Sequence, residues 1–591
     1  MKQSAIDRIL QRAGKEFQAG RRDSAGKLYA QVVEKAPRHS LALRMLGVIA
    51  EGQGRDDEAL RYMEASVKGD APDAIAMYNL ALFLDRRKRY DEALLHYRKA
   101  VALNPSYESA WNNLGALRQR QGFLTEAEEC CRKVLAIDPR HVMAYGNLGN
   151  ILKEQGRSAE AVAAYRTALK LKPDFFAMHS NLLQALCYTA VPDQELLAEH
   201  RAFAESLKAF VPASGEGCAG GHNDKGSRKL RIGYVSPDFR LHSVAYFVEP
   251  ILRHHCRDHF DITCYSDVAV PDRVTERLRA LATQWRDIAG KDDAAVAGLV
   301  AADGIDILVD LAGHSGGNRL GVFFRKPAPV QVSYIGYPAT TGLSALDFRL
   351  TDGWTDPPGQ EAFHTETLVR LAGGFLCYQP PAEAPPPPDQ APVQKNGFIT
   401  FGSFNYLPKV SPAVLDLWSA VLKAVPASRL CLKAKSFNDA PTRERYEQAF
   451  AARGIGSDRL ILKGYSAGLV EHLSAYGEID IALDTFPYNG TTTTLEALWM
   501  GVPVLALQGT NHRSRVSWSI LSRAGLTGLV APSEEKYIAL AQFLASDAER
   551  LTGLHRGLRT AVARSSLCDA RGCAQSLEEA YRAMWEWAKK R

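Results

Sequence analysis

The chain has 591 residues, 46% of them apolar and 23% charged, with a formal net charge of +6 from 72 basic and 66 acidic side chains. Length calls for three or four domains at about 100 to 200 residues each, and the near-average composition excludes disordered, collagenous and acidic-tail classes. The charge is too mild to make nucleic acid the default partner, no apolar run approaches the roughly 18 residues of a membrane span, and MKQSAIDRILQ lacks a signal-peptide core, so the expected location is cytoplasmic, away from membranes.

The first elements are helices in a repeat. One register recurs every 34 residues at Ala25, Ala59, Ala93, Ala127 and Ala161. A second runs Gly20, Gly54, Gly122 and Gly156, with Lys88 as its exception, and a third runs Pro37, Pro105, Pro139 and Pro173, with Pro72 one residue out of step. Together they describe a helix, a tight turn at Gly, a second helix with small Ala at the crossing, and a closing proline. Segments such as AYGNLGNILKEQGRSAEAVAAYRTALKLKP resemble tetratricopeptide repeats, which predicts a helical superhelix over 1–190 and a helical linker over 191–228. A further register places Asn79, Asn113, Asn147 and Asn181 on the first helices of successive units. A primary amide donates and accepts at once, so this ladder can hold the backbone of an acceptor peptide; the plainer alternative is bonding between neighbouring helices.

From Lys229 the period changes. The β-rich runs LRIGYV, FDITCY, IDILVDL and VQVSYI alternate with helical stretches, which predicts a first parallel α/β lobe over 229–378. QPPAEAPPPPDQAPVQ reads as a stiff linker, 379–396. GFITFGSF, SRLCLKA, RLILKGY, EIDIALDTF and VPVLALQ then predict a second lobe over 397–591. In such sheets ligands bind outside the carboxyl ends of the strands, so the active site is expected in the cleft between the lobes.

Within DTFPYNGTTTTLEALWMGVP, a strand ends at Asp484, the turn carries Asn489 and Gly490, and Thr491, Thr492 and Thr493 open a helix. Helix N–H groups, the positive dipole end and threonine hydroxyls make a phosphate cradle without a Walker motif. One N-cap needs one threonine, not four. Glu496, one turn in, has the chemistry to bind ribose hydroxyls, Lys409 to neutralise a leaving diphosphate, and His242, in a loop after a strand, to act as a base or orienting donor. No Asp-x-Asp carboxylate pair occurs, so no metal and no cofactor are expected.

Three motifs compete. GEGCAGG (Gly215, Gly217, Gly220) fits a dinucleotide loop but has no strand before it, and HHCRDH puts His255 and His259 at metal-like spacing without a Glu partner. GHSGG fits a nucleophile elbow and makes a Ser315 hydrolase the rival enzyme class, although only nine residues lie between Gly317 and Pro327 to hold a supporting helix. A catalytically silent scaffold that keeps only peptide binding by the repeats is the other alternative.

The repeats followed by RIGYVSPDF..HS, DILVDLAGH, RKPAPVQVSYIGYPATTG, FLCY, TFGSFN.L.K and DTFPYNGTTTT.EALWMGVP resemble the protein O-GlcNAc transferase and SPINDLY family over nearly the whole chain. The resemblance implies a GT-B fold and a metal-independent, inverting transfer of N-acetylglucosamine from UDP-GlcNAc to Ser or Thr of intracellular proteins. It makes His242 the essential histidine, Lys409 the diphosphate lysine, Thr492 and Thr493 phosphate contacts, Glu496 the ribose ligand and His472 the histidine near the base. It also makes Ala467 the residue whose backbone reads uracil, and places His314 of GHSGG and Pro338 of IGYPATTG in the sugar or acceptor loops. Departures include Thr491 in place of a His, and Tyr406 and Pro408 beside the lysine. VSPDFRLHSVAYF, FLCY and DTFPY.GTTTT are closer to SPINDLY, whose plant members use GDP-fucose, so that donor is the alternative.

Overall fold

The computed structural model describes residues 2–211, 228–466 and 468–590, and the chain divides into two compact units, Met1–Ile151 and Leu152–Arg591. GEGCAGG and Ala467 lie outside the described residues.

The first unit is built of helix pairs, among them Ser40–Gly52 with Asp56–Val67, Ala74–Arg86 with Tyr90–Leu103, and Glu108–Gln121 with Leu124–Ile137. Each pair forms because its apolar residues recur along one face that only a partner helix can cover. The 34-residue alanines Ala25, Ala59, Ala93 and Ala127 are all fully buried, since nothing larger fits where two helices cross. The glycines of the second register turn the chain in the left-handed region, and Lys88, the exception to it, does the same at φ 61° without the freedom of glycine.

The second unit continues with helices Ser158–Leu171, Phe176–Cys187 and Asp193–Phe210 before the sheets begin. Strands β1 (Leu230–Ser236), β2 (Phe260–Ser266), β3 (Gln284–Asp287), β4 (Ile307–Asp310), β5 (Val330–Ser333), β6 (Phe348–Thr351) and β7 (Thr367–Arg370) form one sheet in the order β3-β2-β1-β4-β5-β6-β7. Strands β8 (Thr400–Ser403), β9 (Arg429–Lys433), β10 (Leu460–Lys463), β11 (Ile481–Leu483), β12 (Val504–Leu507) and β13 (Val530–Ala531) form the other in the order β10-β9-β8-β11-β12-β13. Every pairing is parallel, which points all carboxyl ends of a sheet to one side. The apolar runs read from sequence all became strands, interior ones except RLILKGY, which forms the edge strand β10. The half-exposed edge strand β3, sequence QWRD, carries no such run.

The last helix, Ala570–Lys589, crosses from the second lobe to the first. Glu578 accepts from the Cys256 backbone N–H at 2.7 Å and meets His255 Nδ1 at 3.1 Å, while His255 Nε2 meets Tyr234 Oη at 2.8 Å. His255 is thus a buried structural residue, as its missing Glu neighbour in sequence suggested. Among the described residues no cluster of three or more His, Cys, Asp or Glu side chains could hold a metal ion, and no helix is long and apolar enough to cross a membrane.

Candidate nucleotide-sugar site

At the carboxyl end of β11 the buried Asp484 organises the turn. Its Oδ1 accepts from Gly490 N–H at 2.7 Å and its Oδ2 from Ser517 Oγ–H at 2.6 Å. Burial pushes the Asp484 pKa up to about 6, against the hydrogen bonds and the Lys409 charge that favour its ionised form. A Cβ on Gly490 would stand 2.5 Å from Thr493 Oγ1 and 2.7 Å from Thr494 Oγ1, so the close approach of turn and helix requires glycine there. Asn489 is spent internally: its Nδ2 donates to Thr485 O at 2.8 Å and its Oδ1 accepts from Ser517 N–H at 3.4 Å. Asn489 and Gly490 therefore shape the turn through their backbones, not through side chains offered to a ligand.

Helix Thr492–Trp499 starts at this turn. Thr491 occupies the N-cap position, yet its hydroxyl makes no capping bond, and Thr491, Thr492 and Thr493 are half-buried while Thr494 is buried. Thr494 Oγ donates inward to Gly490 O at 3.1 Å, and Thr493 Oγ to Asn405 Oδ1 at 2.9 Å. The helix N-terminal N–H groups and the hydroxyls of Thr491 and Thr492 are left at the mouth of this turn, where the sequence leads one to expect a phosphate cradle.

Lys409 approaches from the loop after β8. Its Nζ donates to Asn489 O at 2.7 Å and stands 4.1 Å from the centre of the Tyr488 ring. Burial lowers its pKa to about 8, with Asp484 opposing. An ammonium has three donors, so two remain beyond that carbonyl.

A cleft of about 500 Å3 opens beside the cradle, lined by Asn405, Lys433, Tyr465, His472 and Thr493 of the second lobe and by Leu241 and Tyr246 of the first. His472 lines it, whereas Glu496 lies behind it: the nearly buried Glu496 Oε2 is 3.2 Å from His472 Nε2 and accepts from Tyr476 Oη–H at 3.3 Å. Its proposed hold on ribose hydroxyls thus competes with two internal partners. Lys433, which no motif flagged, donates to His472 Nδ1 at 2.9 Å.

His242 follows β1. The Asp272 carboxylate ties the loop down by accepting from Leu241 N–H at 2.7 Å. His242 Nδ1 accepts from Val244 N–H at 3.3 Å and lies 3.5 Å from Asp238 Oδ1. A backbone N–H can only donate, so the neutral ring carries its proton on Nε2. Burial pushes the His242 pKa down and the Asp238 carboxylate pulls it back. Of the two roles weighed for it, this tautomer fits the orienting donor. An adjoining cavity of about 230 Å3 is lined by His242 together with Leu241, Tyr246 and Leu469, and these last three also line the cleft.

His314 corrects the sequence expectation. It is 1% exposed; its Nε2 donates to Thr341 O at 2.9 Å and its Nδ1 accepts from Ser180 Oγ–H at 3.1 Å. Helices Phe176–Cys187 and Asp193–Phe210 cover it through Ser180, His200 and Phe203, so no ring nitrogen is left for sugar or acceptor. Pro338 lines a separate small cavity of about 30 Å3 with His364, His512 and Arg513. Ser315 has no base beside it in His314, and the helix that follows, Leu320–Phe324, has five residues, so the hydrolase arrangement is not assembled.

In the first unit the asparagines partly bond to neighbouring helices. Asn113 Nδ2 donates to Tyr78 Oη at 3.1 Å, and Asn147 Nδ2 to Asn112 Oδ1 at 2.9 Å, while Asn79, Asn113 and Asn147 stay half-exposed. Asn181, in the second unit, lines a cavity of about 770 Å3 with Ser315, Asn318 and Arg319.

Comparison with known proteins matches residues 220–378 and 391–577 to the family described as glycosyl transferase family 41, and residues 11–74, 86–122 and 106–174 to tetratricopeptide repeat families. The chain belongs to glycosyl transferase family 41. A relative from Petunia hybrida, a probable UDP-N-acetylglucosamine–peptide N-acetylglucosaminyltransferase SPINDLY, is 45% identical over 362 residues, 61% of this chain and 39% of that protein. The Caenorhabditis elegans UDP-N-acetylglucosamine–peptide N-acetylglucosaminyltransferase is 24% identical over 479 residues, 61% of this chain and 41% of its own. The chain thus spans about two fifths of the length of these curated relatives. A solved structure of a mutant Thermobaculum terrenum O-GlcNAc transferase superposes with a TM-score of 0.80 at 37% identity, covering 87% of this chain and 98% of that one. Helical repeats followed by two parallel α/β sheets are therefore the organisation of a GT-B family 41 member.

Proposed function

We propose that the protein transfers N-acetylglucosamine from UDP-GlcNAc to Ser or Thr hydroxyls of protein acceptors, with inversion at the sugar carbon. The observation that carries this reading is the bond from Lys409 to the Asn489 carbonyl, which sets its ammonium at the turn where the threonine-led helix begins, at the carboxyl end of β11. The names of the Petunia, Caenorhabditis and Thermobaculum proteins support the donor.

In the proposed reaction the acceptor oxygen attacks C1 from the face opposite the diphosphate, and as the O–C1 bond forms the hydroxyl proton passes to solvent water. As the C1–O bond breaks, its electron pair goes to the diphosphate, where helix N–H groups, Thr491, Thr492 and the Lys409 ammonium offset the growing charge. His242 Nε2–H orients groups on the other side. The half-exposed amides of Asn79, Asn113 and Asn147, and separately Asn181, are the proposed backbone contacts for acceptor proteins.

GDP-fucose is the second reading, favoured by the SPINDLY-like VSPDFRLHSVAYF and DTFPYNGTTTT segments. A ligand that binds only the folded state at 100 times its dissociation constant adds about 2.7 kcal/mol of stability. UDP is expected to raise the melting temperature more than GDP at equal concentration without magnesium. A larger shift with GDP transfers the assignment to the second reading, and incorporation of labelled sugar into a protein acceptor from each donor checks the turnover itself.

A further inference from the structure

Lys433 ends β9, is 7% exposed, and lines the cleft. Its Nζ lies 5.2 Å from the centre of the Phe404 ring and donates to His472 Nδ1. Because an ammonium only donates, His472 must accept at Nδ1 and carry its proton on Nε2, aimed at Glu496 Oε2. The chain of donors therefore runs from Lys433 in the cleft through His472 to Glu496 behind it, and two Lys433 N–H groups remain.

Strand order says which part of a donor those groups meet. The cradle follows β11, Asn405 and Lys409 follow β8, Lys433 ends β9, and Gly464 and Tyr465 follow β10. At about 4.8 Å per strand, Lys433 lies roughly 10 Å along the sheet from the cradle, room for a ribose between diphosphate and base. The same cleft wall carries the rings of Tyr465, 67% exposed, and His472, a surface for a ring and not for a saturated sugar.

We propose that Lys433 reads the nucleobase, its ammonium donating to the ring carbonyl that uracil presents as O4 and guanine as O6. Cytosine and adenine carry an amino donor at that edge, which would face a second donor with nothing to accept it. This rests on the nucleotide-sugar reading above and deepens it: Lys433 selects keto bases over amino bases, and the size of the base then decides between UDP and GDP.

The test is calorimetric titration of the full chain with UDP, GDP, CDP and ADP, without magnesium, for wild type, Lys433→Met and Lys433→Gln. A hydrogen bond to a charged donor separates partners by roughly ten- to a hundredfold, so wild type should bind UDP or GDP at least tenfold tighter than CDP and ADP. Lys433→Met should lose that margin by weakening the keto nucleotides alone, and Lys433→Gln, which can also accept, should gain on CDP and ADP. Equal weakening of all four by Lys433→Met would reduce the lysine to a prop for His472 and overturn the proposal. So would wild type binding CDP or ADP as tightly as UDP and GDP, a measurement that needs no folded variant. If wild type binds none of the four, the nucleotide-sugar reading falls, and this proposal with it.

Discussion

Two loops in this molecule look alike in sequence and end differently. GHSGG follows β4 and NGTTTT follows β11; both put glycine and hydroxyl side chains beyond the carboxyl end of a parallel strand. In the first, the polar groups are consumed: Asp310 accepts from Ala312 and Gly313 N–H at 3.1 and 2.8 Å, and His314 is closed between Ser180 and Thr341. In the second, Asp484 holds the turn and Thr493 is spent on Asn405, but Thr491 and Thr492 stay half-buried at the helix start, near a lysine whose charge burial has made costly. The difference lies in what covers the loop. Ser180 and Phe203 come from helices more than 100 residues earlier, and local sequence carries no sign of their arrival. A polar loop is a site only where the rest of the fold leaves its donors unspent.

The largest expected effect is at the open loop. Lys409→Ala removes one charge-assisted contact to the leaving diphosphate and should raise the barrier by about 2 to 4 kcal/mol, roughly 30- to 1000-fold in turnover, with the melting temperature little changed. The same lysine sets a basic limb. Its charge is present below its pKa of about 8 and lost above it, so kcat/KM should fall with rising pH beyond that point, approaching tenfold per unit. Lys409→Arg, which cannot deprotonate in this range, should remove the limb. Unchanged turnover in Lys409→Ala at saturating donor would take the lysine out of the reaction.

At the closed loop the same kind of change should act on folding. His314→Ala leaves a cavity among His200, Phe203 and Tyr337 and strands the Thr341 carbonyl. It should cost about 2 to 4 kcal/mol of stability, read as a lower urea midpoint, while turnover per folded molecule stays within a few-fold. A turnover defect at unchanged stability would reverse the comparison and return His314 to the sugar or acceptor.

The parts legible in the sequence are those with local causes. Ala25 to Ala127 and the turn glycines repeat because each unit meets the same neighbour, and Lys88 stands out in the register at the one such turn where a residue other than glycine takes a positive φ, 61°. The threonine run was legible because four consecutive hydroxyls exceed what a cap needs. Lys433 was not: SRLCLKA reads as a strand with a lysine at its end, and its place in the cleft depends on β9 lying beside β8, a crossover order that no periodicity encodes. Glu496 is legible by its spacing, but its internal partners are not, because His472 and Tyr476 lie 24 and 20 residues away.

The smallest expected effect separates the two loops most cleanly. Ser315 is the residue on which a hydrolase would depend, yet its Oγ is buried without a hydrogen-bond partner among the described residues. A hydroxyl in that position is desolvated for no return, so Ser315→Ala should be neutral or stabilising by up to about 1 kcal/mol. Sugar transfer should be unchanged, because the adjoining His314 is engaged at both ring nitrogens and cannot activate the serine. The paired measurement is ester hydrolysis by wild type and variant next to sugar incorporation. An esterase activity that vanishes with Ser315 would show that the helices over His314 open in solution, and the closed loop would then be a second active site.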